Sequence, residues 1–445
     1  MTDLDLNLLH DLIKKALRAG ADAAESMAID SASLSVAWRG GQLESLEQAE
    51  SGDIGMRVLI GKKQATIGTT DRRLSALDEM IGRVVAMAKA APEDEFCGLA
   101  TPEEITKTWP GLEMADEYEI GAPELIAMAK EAEEAALAVK GVTQCESADA
   151  GASQATIALA ASNGFAGSYR RTSYSISASV LAGEGTNMER DYDYASCVFK
   201  SDLPPATKIG KKAGELTVRN LGARKMPTMQ SPIVFDPRVA KGLLGYFAGA
   251  TSGASVARGT SFLKDHLGKM VFSPSITIVD DPFRPRGLLS RLFDAEGLLP
   301  SRRKIVDEGK LTTWFLDLRS ARQLKMKSTA HASGSPGSLP HPSPSNLYIE
   351  NGKLSPDELM RDIKQGFYVT EVMGMGVNGV TGDYSLAARG FWIENGEKTF
   401  PVNEMTIASN LKDMFLNMTP ANDLEFRYGF NAPTLRIEKM TVAGV

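Results

Sequence analysis

The sequence predicts an α+β fold: an N-terminal helix-and-antiparallel-sheet part, then a larger β-rich C-terminal domain with a few helices. Three observations carry this expectation. Two helical patterns bracket a set of short alternating runs within residues 4–90. Asn163-Gly164 stands between alternating runs, a strong hairpin signal. From Pro232 onward the text is β-rich and only isolated helical patterns interrupt it.

Residues 4–19 read as an amphipathic helix, with Leu4, Leu8, Leu9, Leu12, Ile13, Ala16 and Leu17 on one face and Gly20 as its stop. Strand-like runs follow at 34–38, 43–46 and 54–60, turned by Arg39-Gly40-Gly41 and Gly61-Lys62-Lys63, with 64–70 as the returning strand. Leu74, Leu77, Ile81, Val84, Val85 and Ala88 mark a helix over 74–90. Pro, Gly and charge make 97–122 a linker. A helix over 123–139 starts with Pro123 near its first position. Strands at 154–159, 171–180 and 192–199 and a helix over 204–221 complete a central unit. Further on, helices are expected at 237–250, at 356–364 with a Ser355/Glu358 capping box, and at 404–416. Strands are expected at 276–279, 311–316, 366–372, 390–394 and 435–437. The units are therefore 1–96, a linker 97–122, a central α+β segment 123–230 and a C-terminal domain 231–445.

Composition narrows the function classes. A length of 445 residues suffices for two or three domains with cores of their own. A net charge of −7 argues against a nonspecific nucleic-acid binder, whose affinity comes mainly from Lys and Arg on phosphate. Cys97, Cys145 and Cys197 are odd in number and far apart, which fits a reducing cytoplasm better than a disulfide framework. No apolar run approaches the ~20 residues that span a bilayer. The acidic start, Met1 to Asp5, does not resemble a signal peptide. A cytoplasmic protein without membrane contact is expected.

Several stretches resemble the TldD/PmbA family, whose members carry "modulator of DNA gyrase" names and are tied to peptide maturation. They are Gly52 to Val58, Asn163-Gly164 with Arg171-Thr172, Leu243 to Ala250, Gly376 to Ser385, Gly390 to Gly396 and Ile407 to Leu411. In the TldD branch the helix matching Leu243 to Ala250 carries His-Glu-x-x-x-His and binds a catalytic zinc. Here those positions read Gly245, Tyr246 and Ala250, none of which ligates a metal or moves a proton at neutral pH. TldD proteins also bring a late cysteine to the zinc, and this chain has none after Cys197. The resemblance is therefore to the PmbA branch, also called TldE. It implies a subunit with no cofactor of its own, zinc in a TldD-type partner, and unfolded peptide held in an internal channel. A heterodimer with that partner, or a homodimer when alone, follows from the same resemblance. Two other functions stay open: a peptidase acting alone through an unrecognised site, and a non-proteolytic peptide- or protein-binding regulator.

The remaining candidates are weaker. His10, His266, His331 and His341 do not pair at i, i+4, and metal sites need clustered ligands. Gly374 to Gly379 spells a dinucleotide-binding pattern but is not followed by a helix start, so a tight β-loop is expected. No Gly-x-Ser-x-Gly elbow is present, Thr251 to Ser255 lacks a base, and the cysteines read as buried small hydrophobes. Asp280-Asp281 and the pair Asp191 and Asp193 read as strand-end or turn residues. Strand 366–373 could offer edge hydrogen bonds to an extended peptide. In the loop Leu339 to Asn346, three prolines within 340–344 pre-set an extended backbone. His341, Ser343, Ser345 and Asn346 of that loop are the candidate peptide contacts.

Overall fold

A computed structural model describes residues 6–444. Helix α1 (Leu6–Arg18) leads into three strands, β1 (Ala23–Arg39), β2 (Gln42–Ile60) and β3 (Lys63–Thr69), and then α2 (Leu74–Ala90). After an extended stretch come α3 (Ala122–Leu137), β4 (Val142–Ala161), β5 (Ala166–Ala182), β6 (Glu189–Cys197) and α4 (Ala206–Val218). The six strands form one sheet in the order β3-β2-β1-β4-β5-β6, antiparallel throughout. Units 1–96 and 123–230, expected to stand apart, thus share a sheet.

The period-two register assigns the faces. Ala24, Ser26, Ala28 and Val36 of β1 are buried on one face. Over its first half lie α1, through Leu9, Leu12, Ile13 and Ala16, and α2, through Leu77, Ile81, Val84 and Val85. Over the second half lie α3, through Leu125, Ala129 and Ala132, and α4, through Ile209 and Ala213. The other face carries Met27, with Gly55 and Leu159 as its neighbours across the ladder, and the buried pair Arg57–Glu25 at 3.2 Å. This face packs against the stretch 97–122 and against the C-terminal domain, through Phe293 and the Pro336-Gly337 loop.

That domain opens with β7 (Met229–Phe235), α5 (Pro237–Thr251) and α6 (Gly253–Ala257). Next are β8 (Ile278–Asp281), β9 (Arg303–Asp307), β10 (Lys310–Leu311) and α7 (Leu318–Gln323). Short strands β11 (Ala332–Ser333) and β12 (His341–Pro342) pair with each other, and β13 (Asn346–Ile349) and α8 (Pro356–Met360) follow. The chain ends with β14 (Gln365–Met373), β15 (Asp383–Glu394), β16 (Glu397–Asn410), α9 (Leu411–Leu416), β17 (Met418–Pro420), β18 (Phe430–Asn431) and β19 (Leu435–Ala443). One sheet runs β16-β15-β14-β7-β19-β17, and a β16–β19 pairing closes it on itself. A second runs β10-β9-β8-β13-β18. The main core lies here, centred on Phe235, Phe247, Phe315, Phe367, Trp392 and Phe415.

Several expectations change. The helix expected at 404–416 is strand through Asn410 and helix only from Leu411, because buried Val402, Met405 and Ile407 fit a strand with a local irregularity. The helix at 356–364 stops at Met360, although its Ser355/Glu358 capping box is present. Of 311–316 only Leu311 is strand. Leu4 of the first helix and the acidic start Met1 to Asp5 lie outside the described residues. The stretch 97–122 is a packed strap: Ala100, Ile105 and Met114 are buried with Phe165 and Phe293, and Arg322 donates to the carbonyls of Phe96, Gly98 and Leu99. Asp191 and Asp193 are buried inside β6, not at its ends. Asp191 binds Arg238 of α5 at 3.0 Å and Asp193 binds Arg427 at 3.1 Å, so both tie the first sheet to the C-terminal domain. The Gly374–Gly379 stretch is the hairpin loop between β14 and β15.

The loop Pro336-Gly337 lies directly on β2 and β3. A Cβ at Gly55 would stand 2.2 Å from the Gly337 nitrogen, and Gly337 itself has φ +81°. Gly55→Ala should therefore cost about 1–3 kcal/mol. Gly82→Ala, on the exposed side of α2 with open space at its Cβ, should gain up to ~1 kcal/mol. Urea unfolding of both variants checks the pair; equal stabilities would mean the loop does not press on the sheet.

Candidate functional site

Helix α5 carries Gly245, Tyr246 and Ala250. Asp236 caps it, accepting from the Arg238 N–H at 3.0 Å, and Pro237 fits its first turn. Leu243, Leu244, Phe247 and Ala248 face the core, which leaves Gly242, Gly245 and Gly249 on the exposed side. Gly245 has open space where a side chain would stand. Tyr246 is half-buried, edge-on to Tyr384 with ring centroids 6.0 Å apart, and burial pushes its phenol up. Ala250 is 4% exposed, and its carbonyl accepts from Ser261 Oγ at 2.5 Å. The three positions share a helix but hold no ligand. Among the described residues no group of three or more His, Cys, Asp or Glu is placed to hold a metal ion. The side chains at 245, 246 and 250 do not fit a catalytic zinc.

The loop 339–346 divides. His341 is exposed on β12 and Ser343 is half-buried. Ser345 and Asn346 are buried and their side chains are used internally. Ser345 Oγ donates to Asp280 at 2.7 Å. Asn346 donates to the Asp281 carbonyl at 2.7 Å and to Ser290 Oγ at 2.9 Å, and accepts from the Leu289 N–H. Only His341 and Ser343 of the four remain available to a ligand. Ser343 lines a cleft of about 300 Å³ between the sheet's second face and the C-terminal loops. Its walls include Met27, Ile29 and Ile157 from the sheet, with Arg171 at the edge, and Arg291 and Phe293 from the loops. A larger cleft, about 820 Å³, runs between α4 and residues 423–432 and contains none of the expected contacts.

Sequence reasoning missed a buried polar chain behind this loop. His331, 2% exposed, places Nε2 at 3.1 Å from Asp280 Oδ2 and Nδ1 at 2.8 Å from Thr329 Oγ1. A carboxylate only accepts, so Nε2 carries the proton it shares with Asp280. Burial alone would raise the Asp280 carboxyl. Hydrogen bonds from His331 and Ser345, with the charges of His331 and Arg291, outweigh it and hold the group below its ordinary range. The order Thr, His, Asp imitates a nucleophile, base and orienter. All three are buried, however, and Thr329 Oγ1 is already engaged by the Leu316 N–H at 2.8 Å, so no substrate reaches it. The cysteines are no better placed: burial pushes Cys145 up to about 12 and raises Cys197.

Comparison with known proteins follows this geometry. Residues 24–88, 115–221 and 228–444 match the first, central and C-terminal domain models of the PmbA/TldA metallopeptidases. The chain belongs to the PmbA/TldD family. It is 35% identical over 442 residues to "Metalloprotease PmbA" of Escherichia coli O157:H7, covering 98% of this chain and 96% of that one. A PmbA homologue of Haemophilus influenzae is also 35% identical, over 97% of this chain and 94% of the relative. A crystal structure of a Bacteroides thetaiotaomicron protein described as a modulator of DNA gyrase superposes with a TM-score of 0.91. It is 28% identical, and the match covers 100% of both chains. TldE from Thermococcus kodakarensis shares the fold, with a TM-score of 0.86 at 19% identity over 98% of this chain and 99% of that one. Among the described residues of this PmbA/TldD chain, no helix is long and apolar enough to cross a membrane.

His331→Ala should destabilise the protein by about 1–3 kcal/mol at pH 7, because Asp280 loses a buried donor. The Asp280 carboxyl is depressed in the folded state, so the stability it contributes is present above the ordinary carboxylate value. It is lost as pH falls through the lower folded value. The gap between wild type and variant should therefore narrow on acidification. Denaturant titrations from pH 7 to pH 3 check this; a pH-independent gap would contradict it.

Proposed function

We propose that this chain is the metal-free PmbA/TldE-type subunit of a two-component zinc metallopeptidase that acts on unfolded peptides. A TldD-type partner would supply the zinc, its bound water and the general base. This chain would close the peptide channel and hold part of the peptide. Helix α5 carries the reading. By resemblance it corresponds to the helix that carries the metal motif in the TldD branch, yet Gly245, Tyr246 and Ala250 offer no ligand, and among the described residues no metal-ligating cluster stands elsewhere. Family membership supports peptides as the substrate class. The cleft beside Ser343, with apolar walls and a few polar groups, supports a binding role for this subunit.

Elemental analysis of the tag-free chain should find no stoichiometric zinc. One zinc per chain at micromolar protein would overturn the reading. The variant Gly245→His, Tyr246→Glu, Ala250→His should not become a zinc enzyme. It puts an imidazole into the core at position 250 and a carboxylate beside Tyr384, and the late cysteine is still missing. A loss of about 1–3 kcal/mol or more is expected. A stable, zinc-loaded, active triple variant would show that another part of the chain supplies a ligand.

A further inference from the structure

The cleft beside Ser343 contains two arginines, Arg171 and Arg291, that touch no carboxylate among the described residues, although Asp280 and Asp294 lie within reach of the Arg291 charge. Arg171 stands on β5, opposite Ala155 of β4, and its Nη2 donates to the Leu288 carbonyl. Its Nε and Nη1 have no protein partner, and neither is sealed from solvent. Arg291 comes from the loop after β8. It donates only to carbonyls: Ala332 and Ser343 at 3.4 Å each, and Pro344 at 2.5 Å. Neither guanidinium forms an ion pair among the described residues. Three sheltered arginines elsewhere do, Arg57 with Glu25, Arg238 with Asp191 and Arg389 with Glu189, whereas Arg219 and Arg322 also lack an ion pair among the described residues.

Sheltered charges are ordinarily paired, because desolvation without a partner is costly. Burial lowers the Arg171 pKa, and the like charge of Arg291 lowers it further. The only carboxyl lining the cleft is Asp294. Its Oδ1 accepts from the N–H groups of Glu296 and Leu298, and its Oδ2 from that of Ala332. Burial pushes it up to about 6, and the charge of Arg291 opposes that rise, so Asp294 faces Arg291 and leaves Arg171 without a carboxylate of its own in the cleft. The surrounding walls are apolar: Met27, Ile29, Ile157, Leu289 and Phe293. An apolar cleft with a guanidinium whose remaining N–H groups are free suits a carboxylate that brings an apolar or extended stem.

We infer that Arg171, with Arg291 behind it, is a receptor for a peptide carboxylate, so that this subunit selects acidic peptide segments or a peptide C-terminus. The inference rests on the peptide-binding reading above and adds the substrate's charge. Arg291 positions the loop by holding the Ser343 and Pro344 carbonyls, and Arg171 makes the contact.

The test uses the purified full chain and fluorescently labelled heptapeptides followed by anisotropy. One peptide is glutamate-rich with an amidated end, one has each Glu replaced by Gln, and one is the Gln peptide with a free terminal carboxylate. At least one carboxylate-bearing peptide should bind about 10-fold or more tightly than the amidated Gln peptide. Whichever does so distinguishes a side-chain carboxylate from a terminal one. Arg171→Met should remove that advantage, so that the carboxylate-bearing peptide binds no more tightly than the amidated Gln peptide does to the same variant. Should Arg171→Met lower the melting temperature, Arg171→Lys, which keeps the charge but loses the planar fork, should lose most of the advantage. Equal binding of all three peptides, or an advantage that survives both variants, would overturn the inference while leaving the peptide reading intact. No binding of any peptide would overturn both.

Discussion

Strand β1 is hydrogen-bonded along both edges for most of its length, to β2 on one side and β4 on the other. That double pairing makes residues 23–197 one sheet, although the sequence reads as two units. It also fixes what each face must do. One face is small and apolar and disappears under four helices. The other cannot be covered by helices from the same part of the chain, so it needs the C-terminal domain. Gly55, Gly68 and Gly337 let backbone meet backbone at that seam. Asp191 and Asp193 then lock the far edge with arginines from the second domain. The cleft beside Ser343 is one part of the seam that does not close, and the larger cleft beside α4 is another.

Much of the helical architecture was legible because it depends on local periodicity. The second helix falls on 74–90 as expected, and Pro237 and Thr251 bound α5 close to the expected 237–250. The strands were legible as existing but not as long. β2 spans 19 residues, and its first half is exposed on both faces, so it carries no alternation to read. The end of β16 was misread as helix because Ile407, Leu411, Met414 and Phe415 stand at helical spacing, a pattern that becomes helix, as α9, only from Leu411.

The site was less legible because its parts lie far apart in sequence. Asp280 and His331 are 51 residues apart, and no motif joins them. Arg171 and Arg291 come from different domains and meet only at the seam. Loop 339–346 reaches a cleft through Ser343 and Pro344, but which of its side chains point inward could not be read: Ser345 and Asn346 spend their hydrogen bonds on Asp280, Asp281 and Ser290. The positions at 245, 246 and 250 were readable because absent chemistry needs no geometry. A glycine, a tyrosine packed on Tyr384 and a buried alanine give a metal nothing to hold.

The proposed reading is a division of labour in which a TldD-type partner would carry the metal and this chain would shape and charge the channel. The most direct measurement is peptide cleavage by this chain alone, by a TldD-type partner mixed with it, and by the mixture in chelator. The account predicts no cleavage by the chain alone, cleavage by the mixture, and loss of that cleavage in chelator or when the partner's metal-helix glutamate is replaced. Chelator-insensitive cleavage by this chain on its own would contradict it.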